Sequence, residues 1–251
     1  MHIKFQTRSL NTKKIAHNKY SDKEYSSMQA KEITRRYIVF FTALTIGACG
    51  VTLVTRSHLG VNSVACLSYV SSVYLPVTMG TVVILFNLSM LISQFFLYKK
   101  TELKLHLINL LLQIPAFFFF GILVDIFMFL TKNFNPDFYA LEFAALLFGS
   151  ILIALNIALQ ATANVTMLSC DAFVKVLAEK INKKLGSVKL IYDVILVATA
   201  AGIALIFSHG SEITGIREGT VIGAIIIGPL VQLMYPRCAF LKEWILKSAK
   251  S

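Results

Sequence analysis

Apolar residues run along this chain in long blocks separated by short polar patches. Between Leu59 and Tyr98 no residue is charged, a run of 40, about twice the length one membrane crossing needs. The blocks show neither strict alternation, which would suit barrel strands, nor the one-sided stripe of a helix on an aqueous core. They predict six helical spans near residues 37–55, 78–98, 106–130, 138–161, 188–208 and 217–236. Polar segments 1–36 and 237–251 flank them as tails, and the spans divide into units 37–130 and 138–236.

Two connections do not read as plain loops. From Arg56 to Gly80 the chain is apolar but broken by Gly60, Asn62, Ser63, Pro76 and Gly80, which predicts a short helix lying in or dipping into the membrane. Thr162–Gly186 echoes it, with an amphipathic helix expected over 169–185. There Phe173, Val176, Leu177, Ile181 and Leu185 share one face, Ser169 serves as N-cap, and Asp171 suits the first turn. Broken segments at matching places in two halves are the mark of a transporter built from internal repeats.

A shift of 106 residues brings Gly80 onto Gly186, Val82 onto Val188, Asn87 onto Asp193 and Ser63 onto Ser169. With one further residue of offset, Gly121 meets Gly228 and Asp125 meets Gln232. Three spans per half is an odd number, so the halves would insert in opposite directions. The expected fold is therefore an all-α membrane protein of six transmembrane helices. It is arranged as two inverted three-helix repeats, each with a broken interfacial helix after its first span.

Composition agrees. The 251 residues are 56% hydrophobic and 15% charged, against about 25% charged in soluble domains, and the mean hydropathy is +0.70. The net charge of +11 invites a nucleic-acid reading, which the placement of the charges removes. With the N-terminus inside, 21 Lys and Arg fall on the inner side and only Arg56, Lys132 and Arg217 on the outer. That asymmetry places both termini on the cytoplasmic side of a multi-pass membrane protein. The 36 polar residues before the first span do not form a signal peptide. Cys49, Cys66, Cys170 and Cys238 have no CxxC spacing and no His pair beside them, so neither a metal nor another cofactor is expected.

Polar residues inside or beside spans are the candidates for function. Freed backbone groups at the breaks, with Asn62, Ser63, Asn87, Asn164, Thr166 and Ser169, could bind polar parts of a solute. Arg56 and His58 could gather an anion at the outer mouth, or stand as ordinary interfacial charges. Asp125, Asp171 and Asp193 are candidates for proton coupling, because an acid moved between wet and dry surroundings changes its affinity for protons. Each also has a plainer reading: Asp125 near an interface, Asp171 in a helix first turn, Asp193 paired with Lys189 at i,i+4. Pro115 predicts a kink whose freed carbonyl Gln113 could satisfy.

The phrases HLGVNS, LLQIPAFFFFGILVD, SCDAF, KLGSVK and REGTVIGAIIIGP together resemble the YczE/YyaS/YitT group of bacterial integral membrane proteins, over about residues 36–240. Two positions depart from it: Ala65 stands where the group commonly has Asp, while the equivalent Asp171 is kept, and Val64 replaces an aromatic residue. The resemblance implies a plasma-membrane protein that is transporter-like at most. Two functions follow. One is a secondary transporter or exporter of a small polar solute. The other is a non-transporting accessory protein acting on partners through its tail and amphipathic helix. HExxH, GxSxG and phosphate-binding glycine loops are missing from the sequence, which argues against an enzyme. The expected partners are the bilayer and an unidentified solute; nucleic acid is not expected, and a homodimer stays open.

Overall fold

In the computed structural model, residues 30–98, 100–183, 185–207 and 215–246 are described. The first 29 residues of the tail, the loop 208–214 and the last five residues lie outside them. Nine α-helices account for most of the rest: α1 (Ala30–Arg56), α2 (Ser63–Tyr74), α3 (Met79–Leu97), α4 (Lys100–Leu130), α5 (Tyr139–Ala163), α6 (Ser169–Lys180), α7 (Leu185–Phe207), α8 (Glu218–Met234) and α9 (Ala239–Leu246). Among the described residues there are no strands. Six stretches are long and apolar enough to cross a membrane: 32–56, 79–97, 103–130, 139–163, 185–207 and 218–238.

α1 is the most enclosed of the six, and it packs chiefly along α5. Glycines set that spacing. A Cβ added at Gly50 would stand 2.8 Å from the Gly149 carbonyl, and one at Gly149 would stand 2.8 Å from the Gly50 carbonyl. Backbones this close gain dispersion contacts where lipid supplies no hydrophobic drive between helices. α4 lies against both α1 and α3, and α8 lies against α5.

The two short helices cross over. α2, in the first half, packs on α7 of the second; α6, in the second half, packs on α3 of the first. Asn62 starts α2 by accepting the Ala65 amide at 3.2 Å. α5 stops at Asn164, which adopts a left-handed conformation with φ of 49°, a backbone state asparagine tolerates better than most residues.

Three local expectations need correction. α6 begins at Ser169 itself, with Leu168 at the cap and no side-chain cap bond, so Ser169 is not the N-cap. α6 also ends at Lys180 rather than running to 185, because Asn182 turns left-handed with φ of 54°. Its buried face is formed by Cys170, Val174 and Ala178, flanked by Phe173 and Leu177, while Ile181 and Leu185 are exposed. Finally, Gln113 reaches across to α3 rather than back to a carbonyl of its own helix near Pro115.

Candidate functional site

At the end of the bundle that carries α2, the candidate residues are held by the scaffold. Arg56 donates from Nη2 to the Met128 carbonyl at 2.9 Å, at the close of α4, while its buried Nε has no partner among the described residues. His58 Nε2 lies 2.8 Å from Asn135 Oδ1, and the His58 carbonyl accepts from Arg217 Nη1 at 2.9 Å. Ser63 opens α2. Asp125 accepts from Thr78 Oγ1 and from the Gly80 amide, each at 2.7 Å. It is therefore tied to the first turn of α3.

The end that carries α6 is different. A polar cluster joins four helices there. Asn87 of α3, almost fully buried, accepts the Cys170 amide at 3.2 Å through Oδ1. One turn or two further along, Gln94 donates to Gln113 of α4 at 3.0 Å and to the Ser169 carbonyl at 3.2 Å. Gln113 returns a bond to Gln94 Oε1 at 3.2 Å. The Ser169 hydroxyl is buried and makes no hydrogen bond among the described residues.

Beside this network Lys189 of α7 stands between two carboxylates. Its ammonium lies 3.2 Å from Asp171 Oδ1 on α6 and 3.3 Å from Asp193 Oδ1 one turn along its own helix. The first contact is a hydrogen bond. The second has ion-pair distance without hydrogen-bond geometry, so among the described residues Asp193 Oδ1 is a buried carboxylate oxygen accepting no hydrogen bond. Among the described residues, these two carboxyl side chains share the one ammonium. Tyr192 closes the cluster toward α3, its hydroxyl 3.3 Å from Met90 Sδ. Burial, with Asp171 beside it, pushes the Cys170 thiol above its ordinary range.

The structure thus brings together Asn87, Ser169, Asp171 and Asp193 and leaves Arg56, His58, Asn62, Ser63 and Asp125 at the opposite end. Asn164 and Thr166 sit on the connection before α6: Asn164 closes α5, and Thr166 Oγ1 makes long contacts of 3.5 Å to the Asn109 and Met167 carbonyls. Lys189, Tyr192, Gln94 and Gln113 join the cluster although none is a candidate by sequence. An amide buried in a span is a signal in itself, and Gln94 and Gln113 carried it.

Residues 34–236 match the model of DUF6198, a family of unknown function. The chain belongs to that family. No curated protein and no solved structure matched it. The DUF6198 match covers the six spans, short of two residues at each outer end, together with α2 and α6, so every residue of the charged cluster lies inside the family region.

Proposed function

We propose that this member of DUF6198 is a secondary transporter that moves a small polar solute across the plasma membrane, with both termini cytoplasmic and no enzymatic chemistry of its own. The observation that carries the reading is the Asp171–Lys189–Asp193 cluster. Ionisable groups at membrane helices are costly, and they mark ion and substrate paths more often than they support the fold. One ammonium cannot satisfy two carboxylates, so the cluster holds one positive charge fewer than it can use. A proton or a cationic group of the solute would complete it.

The helix pairing supports an inverted-repeat design. α1 meets its counterpart α5, each short helix packs on the second span of the other half, and α4 sits on α1 as α8 sits on α5. In transporters of this design the solute site lies at the repeat interface beside interrupted helices. The cluster joins α6 and α7 of the second half, and its neighbours Cys170 and Tyr192 contact Asn87 and Met90 on α3 of the first. The split of basic residues supports the orientation.

Purified protein in liposomes, assayed for uptake of labelled amino acids, sugars and small organic acids with and without a pH gradient, tests the proposal. Gradient-dependent flux that falls at least tenfold in folded Asp171→Asn and Asp193→Asn variants is expected. Absence of flux across the panel, or unchanged flux in both variants, would sink it.

A further inference from the structure

The shift that relates the halves carries Gly80, Val83, Asn87, Leu91 and Gln94 of α3 onto Gly186, Lys189, Asp193, Val197 and Ala200 of α7. Steps of three and four residues keep each set on one helix face. On α3 all five residues are buried, because α4 lies along that face and α6 packs beside it. A Cβ added at Gly80 would fall 2.1 Å from the Gly121 carbonyl, so backbone meets backbone there.

On α7 the same face is only partly covered, with Gly186 exposed and Lys189, Asp193 and Val197 half-buried. Of its five residues only Ala200 is buried, and the Lys189 and Asp193 side chains keep 34% and 26% exposure. The missing cover is α8. It packs on α5 but makes no contact with α7 comparable to that of α4 with α3. Among the described residues, nothing lies within 4 Å of a Cβ added at Gly186 or Gly228, the counterparts of the touching Gly80 and Gly121. Lipid tails suit Leu190 and Val194 on the neighbouring strip, but not a lysine and a carboxylate.

We propose that the space between α7 and α8 is the transporter's gate. In a second state α8 lies along the Gly186–Asp193 face of α7, with Gly228 against Gly186, as α4 withdraws from α3. The halves then exchange conformations, which is how a pair of inverted repeats alternates access around one site. Closure also fixes the charge that must be taken up. From Val221 to Met234 the only polar side chain of α8 is Gln232, so closing covers a cluster of net negative charge with an apolar helix. Burying an unpaired charge is costly, and closure therefore takes up one positive charge, as a proton or a small cation. The groups that set this charge are Asp171 and the Cys170 thiol on α6 and Lys189, Tyr192 and Asp193 on α7, with uncharged Met90 facing them from α3.

The gate rests on the transport reading, and separate readouts keep the two apart. Spin labels at Leu190→Cys and Ile225→Cys, both exposed positions, report the α7–α8 distance by pulsed electron paramagnetic resonance in nanodiscs, with Cys49, Cys66 and Cys238 replaced by alanine and the buried Cys170 kept. Two distances are expected. Uptake of a proton enriches the shorter one at pH 5 over pH 8 without added metal ions; uptake of a cation enriches it at pH 8 on adding sodium or potassium. Asp193→Asn, which neutralises the cluster, favours the shorter distance under all conditions, and Gly228→Leu abolishes it. A single distance unmoved by pH, cations or either variant overturns the gate, even if solute flux is intact. Two distances without flux across the solute panel keep the gate and overturn transport.

Discussion

Asp125 of α4 and Gly80 of α3 meet at 2.7 Å, carboxylate to backbone amide, at the first turn of α3. The bond satisfies an amide that no helical carbonyl can reach, and Thr78 adds a hydroxyl donor to the same carboxylate at 2.7 Å. This residue therefore works as a clamp between two spans. Asp125→Ala should lower stability by about 1–3 kcal/mol, read as a fall in melting temperature in detergent. A variant that melts like wild type would remove the clamp.

The glycines divide by environment. Gly80→Ala would drive a methyl group into the Gly121 carbonyl and should cost on the order of 1–3 kcal/mol. Gly186→Ala and Gly228→Ala meet open space, and with the helix preference of alanine they should be neutral or stabilising by up to about 1 kcal/mol. Thermal unfolding of the three variants side by side checks the sign as well as the size.

Gln94 and Gln113 exchange two hydrogen bonds while almost fully buried. Removing one leaves the other short of partners, so Gln113→Leu should cost about 1–3 kcal/mol. The Gln94→Leu, Gln113→Leu double variant should cost clearly less than the sum of the two singles. Simple additivity in a double-mutant cycle would show that the pair is not coupled.

Two thiols should resist modification. Burial pushes the Cys66 thiol up to about 11, so at pH 8 roughly one molecule in a thousand carries the reactive thiolate there. Cys170 is shifted in the same direction. Intact-mass measurement with N-ethylmaleimide should find both unlabelled in the folded protein, with Cys66 labelling faster as pH rises toward 11. Denaturant should release both. Rapid labelling of either at pH 7 would contradict the packing of α2 or α6.

The spans were readable because charge-free windows leave few alternatives, and their observed bounds differ from the expected ones by a few residues. The largest difference is instructive. α1 begins at Ala30 rather than Tyr37 because Glu32 and Arg36 pair at 2.8 Å and are buried together. Arg36 also donates to the Ala163 carbonyl at 2.9 Å, at the end of α5. In the sequence those charges look like a solvated tail, since only the fold brings Ala163 to them. The cluster was half legible for the same reason. Asp193 and Lys189 are one turn apart and could be paired by spacing alone, whereas Asp171 reaches Lys189 only because α6 folds back beside α7. Ser169 was misjudged because its type fits a cap, while the chain places Leu168 there.

The strap Leu59–Val61 fastens one end of α8 to the rest of the molecule. Leu59 accepts the Gly219 amide at 2.7 Å, the Val61 amide donates to Gly215 at 3.1 Å, and Gly60, at φ of +121°, lets the strap press against Thr220. At about 1.5 Å of rise per residue, Gly228 sits roughly 14 Å from that anchorage. Sliding α8 along α5 would break the strap, whereas a tilt of a few degrees about it carries the far end several times farther than the near one.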